Sequence, residues 1–152
     1  MHIKIICVGS LKGGPERQLV DDYIQRANKT GRGLGFRSVE EIEVAASGDV
    51  DKESERVLAK LGSAQLVLLD ERGETLKSQQ FSKKLANWRD QGLDIAFLIG
   101  GANGHSAALK QKAPHTISFG VQTWPHKLVR VMIAEQVYRA FSIEAGSPYH
   151  RE

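Results

Sequence analysis

A single cysteine, Cys7, leaves no internal disulfide to form, and its place in the apolar run Ile3–Val8 suits a small buried hydrophobe better than a reactive thiol. No apolar stretch approaches the ~20 residues of a membrane span. The opening Met1-His2-Ile3-Lys4-Ile5-Ile6-Cys7-Val8 reads directly as a strand, without the basic region, apolar core and cleavage site of a signal peptide. A cytoplasmic location is therefore expected. The five histidines, His2, His105, His115, His126 and His150, show no metal-ligand spacing, so no metal is expected. Neither G-x-x-x-x-G-K-[ST] nor G-x-G-x-x-G occurs, so neither a triphosphate loop nor a dinucleotide site is implied.

What is present is an ordinary globular composition, 41% hydrophobic and 26% charged over 152 residues, which suits one domain spanning residues 1–152. Apolar runs alternate with amphipathic segments, and no repeat or linker interrupts them. Strands are expected at Ile3–Val8, Ser38–Ala45, Gln65–Leu69, Ile95–Ile99 and Thr116–Ser118, the second of them at an edge or half-buried. Helices are expected at about Glu16–Ala27, Val50–Leu61, Ser78–Arg89, His105–Lys112 and Pro125–Glu144. The fold class is α/β, a mostly parallel sheet with helices on both faces, because strands separated by helices pair in parallel.

Ligands of open parallel sheets bind beyond the carboxyl ends of the strands. Three loops leave such ends: Asp70-Glu71-Arg72-Gly73, Gly100-Gly101-Ala102-Asn103-Gly104 and Phe119-Gly120-Val121-Gln122-Thr123-Trp124. If their strands are neighbours, the loops converge on one pocket. Taken singly, each also reads as a plain connection, and the 70–73 turn as an approach to the next helix.

The final helix carries apolar residues on more than one face between Leu128 and Ile143, so it needs two partners, its own sheet and a second subunit. Gly146 and Pro148 then stop it and release Tyr149, His150 and Arg151. Charge is balanced over residues 1–100, with 15 basic against 15 acidic, whereas residues 101–152 hold six basic and three acidic. That excess would draw an anionic partner, nucleic acid being the obvious one, although charge alone favours a solvated surface with a small accidental asymmetry.

Five segments in order carry a resemblance: Leu68-Leu69-Asp70-Glu71-Arg72-Gly73, Phe97 to Gly104, Trp124 to Val131, Ala134 to Ala140 and Pro148-Tyr149-His150-Arg151. Together they resemble the ribosomal RNA large-subunit methyltransferase H family over nearly the whole chain. The resemblance implies a SPOUT-class enzyme with a C-terminal trefoil knot, S-adenosylmethionine as cofactor, and a homodimer that completes each active site. Periodicity alone gives only a doubly wound sheet, knots being rare. The implied reaction is methylation of N3 of a pseudouridine in 23S ribosomal RNA, within the large subunit or the ribosome.

By that resemblance Leu69, Gly100 and the loop Gly120, Val121, Gln122, Thr123, Trp124 and Pro125 correspond to cofactor-binding positions. Tyr149, His150 and Arg151 correspond to the substrate-facing tail. The cofactor brings an activated methyl group, so the protein has mainly to align donor and acceptor, with an uncharged wall around the methyl. His150 is the candidate general base by residue type, Arg151 a holder of negative charge, and Tyr149 a stacking or orienting group. Val121 and Gln122 depart from the family's usual small hydroxyl and bulky apolar residues. His126 is expected to support the loop, Trp88 to pack, and Arg130 and Arg139 to bind phosphate or form ion pairs. Two rival readings are a nucleotide-binding oxidoreductase and a catalytically inactive RNA-binding protein.

Overall fold

The computed structural model describes residues 1–151; Glu152, the end of the expected tail and domain, lies outside the described residues. Ten main elements alternate: β1 (His2–Val8), α1 (Pro15–Gly31), β2 (Ser38–Val44), α2 (Val50–Leu61), β3 (Gln65–Thr75), α3 (Ser78–Asp90), β4 (Ile95–Ile99), α4 (Ala107–Lys112), β5 (His115–Ser118) and α5 (His126–Glu144). The five strands form one sheet in the order β2-β1-β4-β3-β5, and every pairing is parallel.

Sequence accounts for the order of burial. All five residues of β4 are buried, as an uninterrupted apolar strand with a helix layer on each face must be. The edge strand β2 is SVEEIEV: its Val39, Glu41 and Glu43 share one face, and Ile42 and Val44 the other. Val39 joins a core that includes Phe81, Leu85, Phe97, Ile133 and Phe141, under α1, α3 and α5. Val44 joins the opposite core with Val57, Leu61, Leu98 and Leu109, under α2 and α4. Helices thus cover both faces.

Glu41, half-buried, and Glu43, exposed on the same face, do not become unpaired charges, because two arginines reach them. Arg130 of α5 bonds Glu41 at 2.8 Å and Glu43 at 2.6 Å, and Arg17 of α1 bonds Glu41 at 2.6 Å. Of the two roles open to Arg130, the ion pair is the one the structure builds. Cys7, on the neighbouring strand, is fully buried, and burial pushes its thiol up to about 12.

Helix boundaries follow local chemistry. Asp49 caps α2 by accepting from the backbone N–H groups of Asp51 and Lys52. Ser106 caps α4 through Leu109 N–H. The second partner of α5 lies within the chain for most of its length, since α1 and α3 pack on it as well as the sheet, and Phe141 of α5 stacks on Phe36 with ring centroids 4.1 Å apart.

β3 runs six residues beyond the expected Leu69. Leu69 and Glu74 both pair with Ile117, so the four residues 70–73 loop out of the ladder and the strand then resumes. Gly73 permits this: a Cβ there would stand 2.6 Å from the Thr116 carbonyl carbon, so only a residue without one lets the two backbones close. The Asp70–Gly73 segment is therefore an excursion within a strand, not an approach to a helix.

Candidate active site

β4, β3 and β5 are adjacent in the sheet, and the three loops leaving their carboxyl ends line one cleft. Its floor holds Leu69, Ile99 and Ile117 at the strand ends; α5 adds His126 and Val129. The expected cofactor positions Leu69, Gly100, Gly120, Gln122, Thr123 and Trp124 all line it, while Val121 and Pro125 belong to the same loop but lie off the wall.

Backbone forms much of that wall. At Gly100 a Cβ would stand 3.0 Å from the Gly104 carbonyl oxygen and 3.1 Å from the His105 ring, so any side chain there would press on the turn, and glycine leaves bare backbone in the cleft wall. Ser118 ties the next loop by accepting from Gly120 N–H at 3.0 Å. Thr123 donates to the Glu71 carboxylate at 3.1 Å, which links the loop after β5 to the excursion in β3.

The wall is not uncharged. Asp70 and Glu71 both line the cleft, so a cation gains a favourable field there. The cleft encloses about 180 Å³, below the ~300 Å³ at which closed ligand pockets usually begin. Residues 121–128 beside it are all exposed, with Val121 at 89%, Trp124 at 40% and Leu128 at 39%. A nucleoside-sized ligand would extend from the floor to this exposed rim.

The tail does not reach the cleft within one chain. After α5, Ser147 N–H bonds back to the Ser142 carbonyl at 3.0 Å, which turns the terminus along the helix. Tyr149 donates its hydroxyl to Glu135 at 2.9 Å and packs its ring on Tyr138 at 4.6 Å. Burial and that carboxylate push the Tyr149 phenol above its ordinary range, so it remains a donor at neutral pH. Arg139 bonds Glu135 at 2.6 Å and lies over the Tyr149 ring at 4.7 Å, as an intrachain ion pair. It also donates to His150 Nδ1 at 3.2 Å, so that nitrogen's lone pair is engaged. Arg151 is exposed. Arg139, which holds His150, lies ten residues past Val129, the last cleft-lining residue of α5, about 15 Å along the helix at 1.5 Å per residue.

One residue of the cleft is not signalled as a site by the sequence. His105 places Nε2 3.0 Å from the Leu69 carbonyl, joining the loop after β4 to the end of β3. A carbonyl only accepts, so Nε2 carries the proton. Burial lowers the pKa of His105 and favours the neutral ring. The available signal is a ring immediately after a glycine-rich strand-to-helix turn, in a position that counts in the sequence only as a poor metal ligand. Trp88, by contrast, is a packing residue, 5% exposed against His115. His126 is exposed on the cleft wall.

Comparison with known proteins turns this geometry into a family. Residues 1–150 match the family described as "Predicted SPOUT methyltransferase". The chain belongs to the SPOUT methyltransferase family. It is 53% identical over 153 residues to Ribosomal RNA large subunit methyltransferase H of Hyphomonas neptunium, covering 99% of each chain. The protein of the same name from Cereibacter sphaeroides is 48% identical over 154 residues, again with 99% of each covered. Among solved structures, a probable methylase family protein from Haemophilus influenzae aligns with a TM-score of 0.53 at 12% identity, over 99% of this chain and 70% of that one, a likeness of fold alone.

Family membership makes this chain a methyltransferase and implies that its C-terminal part is knotted. No described helix is long and apolar enough to cross a membrane. Among the described residues no group of three or more His, Cys, Asp and Glu could hold a metal ion.

Proposed function

We propose that residues 1–152 act as one SPOUT domain that binds S-adenosylmethionine in the cleft and methylates N3 of a pseudouridine in 23S ribosomal RNA, in the cytoplasm. The observation that carries this reading is the convergence of three post-strand loops on one cleft, in a chain 53% identical to a relative named Ribosomal RNA large subunit methyltransferase H. The cleft's chemistry suits the cofactor: bare backbone at Gly100 for a flat nucleoside, an apolar floor, and the carboxylates of Asp70 and Glu71 for its cationic end.

When bound, the cofactor supplies a methyl group already activated on a sulfonium, so the residues here have to orient, cover and deprotonate. Thr123, held by Glu71, fixes the loop against the excursion in β3. The exposed run 121–128 is the surface a second copy would cover in a two-fold dimer. Because Arg139, which holds His150, lies about 15 Å along α5 from Val129, the last cleft-lining residue of that helix, the tail that meets a given cleft comes from the other subunit. There His150 takes the imide proton of N3 once the RNA displaces Arg139 from Nδ1, and Arg151 holds phosphate or developing negative charge.

The test is incubation of free 23S RNA, large subunits and assembled ribosomes with methyl-labelled S-adenosylmethionine, followed by mapping of the methylated nucleotide. Label at N3 of a pseudouridine in any of the three is the expected result. Cofactor binding without incorporation into any of them would favour a binding protein instead.

A further inference from the structure

His105 has two faces. One lines the cleft; the other lines a second, smaller cavity of about 10 Å³ behind the Gly100–Gly104 turn, shared with Glu53, Ser54 and Leu98. Two buried polar atoms have no hydrogen-bond partner among the described residues at this cavity, Glu53 Oε1 and His105 Nδ1. Neither side chain is idle. Glu53, only 5% exposed, accepts the Ser47 and Gly48 N–H groups on its other oxygen, at 2.8 and 3.4 Å. His105 uses Nε2 on the Leu69 carbonyl.

The proton inventory defines what fits between them. With Nε2 protonated and the ring neutral, Nδ1 is a lone pair; a glutamate oxygen is a lone pair as well. Both residues line this cavity, and two acceptors cannot satisfy each other. They need a guest with two donors, and a cavity of about 10 Å³ is close to the minimum that admits a water. Buried polar groups left without any partner are rare in folded proteins.

We propose that one buried water donates to both Glu53 Oε1 and His105 Nδ1, fixing in the wild-type ring the Nε2–H tautomer with which His105 positions the Leu69 carbonyl in the wall of the cofactor cleft. This water relay ties α2 to the turn after β4 and to the end of β3. Asn103 supports the same junction from outside by donating to the Gly48 carbonyl at 2.9 Å. His105 is a positioning residue, acting on the cofactor through Leu69. The inference rests on the cofactor reading above.

The test separates the two ends of the ring. Glutamine places a donor where Nε2 was, whereas asparagine places polar atoms only near the former Nδ1. Calorimetry with S-adenosylmethionine should find His105→Gln within about threefold of the wild-type affinity and His105→Asn weaker by about tenfold, the worth of one good buried hydrogen bond. Equal losses in both variants, or none in either, would overturn the positioning role. Nitrogen-15 NMR of histidine-labelled wild-type protein, assigned with His105→Gln, should find the Nε2–H tautomer. Glu53→Leu should shift the Nδ1 signal by freeing the water's second anchor. An Nδ1–H tautomer in the wild type, or an Nδ1 signal indifferent to Glu53→Leu, refutes the relay even if His105→Asn fails to fold. Should the tautomer and the Glu53 effect both appear while the wild type binds no cofactor, the relay is supported, and the cofactor reading falls together with the positioning role.

Discussion

The two ends of α5 are built on opposite terms. At its start, residues 121–128 are exposed around an open cleft, Val121 almost wholly so. At its end, Tyr149, His150, Arg139 and Glu135 satisfy one another within the chain. The first region has unspent surface and fixed backbone, as a ligand site does. The second has reactive groups held in reserve, with the His150 lone pair engaged until something displaces Arg139. Under the proposed function, donor and acceptor chemistry are separate in one subunit, and assembly joins them.

The contrast is tested most severely by removing the tail. Deletion of residues 149–152, or His150→Ala, should reduce methyl transfer by about 100-fold or more, the usual contribution of a positioned base, while calorimetric affinity for S-adenosylmethionine stays within about threefold. Loss of cofactor binding in either variant would mean that the tail belongs to the cleft after all. Gly100→Val attacks the other end. Its side chain meets the Gly104 carbonyl and the His105 ring, so affinity should fall more than tenfold, with stability down by about 1–3 kcal/mol from overpacking.

Tyr149→Phe is a gentler probe. It removes the 2.9 Å bond to Glu135 and should loosen the tail by about 1 kcal/mol, read as faster amide exchange at residues 147–151 with the cleft unaffected. The smallest effect is on pH dependence. His105 and His115 both have lowered pKa values, chiefly from burial, so the unfolded chain binds protons first as pH falls through the ordinary histidine range. Stability should be full above about pH 6.5 and decline below it, in urea titrations at pH 7.5 and 5.5. His105→Gln should flatten that decline, and an unchanged slope would assign it elsewhere.

The chain announces its elements where local chemistry is sufficient. Val50–Leu61 is legible with its observed bounds, because Asp49 caps it and Gly62 ends it. The apolar run Ile95–Ile99 is likewise unmistakable. The apolar pattern of β3 stops six residues short of the strand's end, since its continuation depends on Gly73 meeting the backbone of β5, a contact that no local pattern encodes. The site is legible only conditionally. Three loops past strand ends can be named from sequence, but their convergence requires β4, β3 and β5 to be adjacent, which is a property of the sheet. Glu53 and His105 are invisible for the same reason, being far apart along the chain and joined only through a cavity. The second partner of α5 proves to be α1 and α3 over most of its length, which confines the surface left for another subunit toward Leu128 and the loop before it.

Subunit mixing tests the central claim most directly. A chain disabled in the cleft by Gly100→Val and a chain lacking residues 149–152 are each inactive alone; unfolded together and refolded at equal amounts, random pairing into two-fold dimers should restore about a quarter of the wild-type methyl transfer. In those mixed dimers an intact cleft meets the other subunit's intact tail. No recovery, with mixed dimers demonstrated in the sample, would contradict the account and place cleft and tail in the service of the same chain.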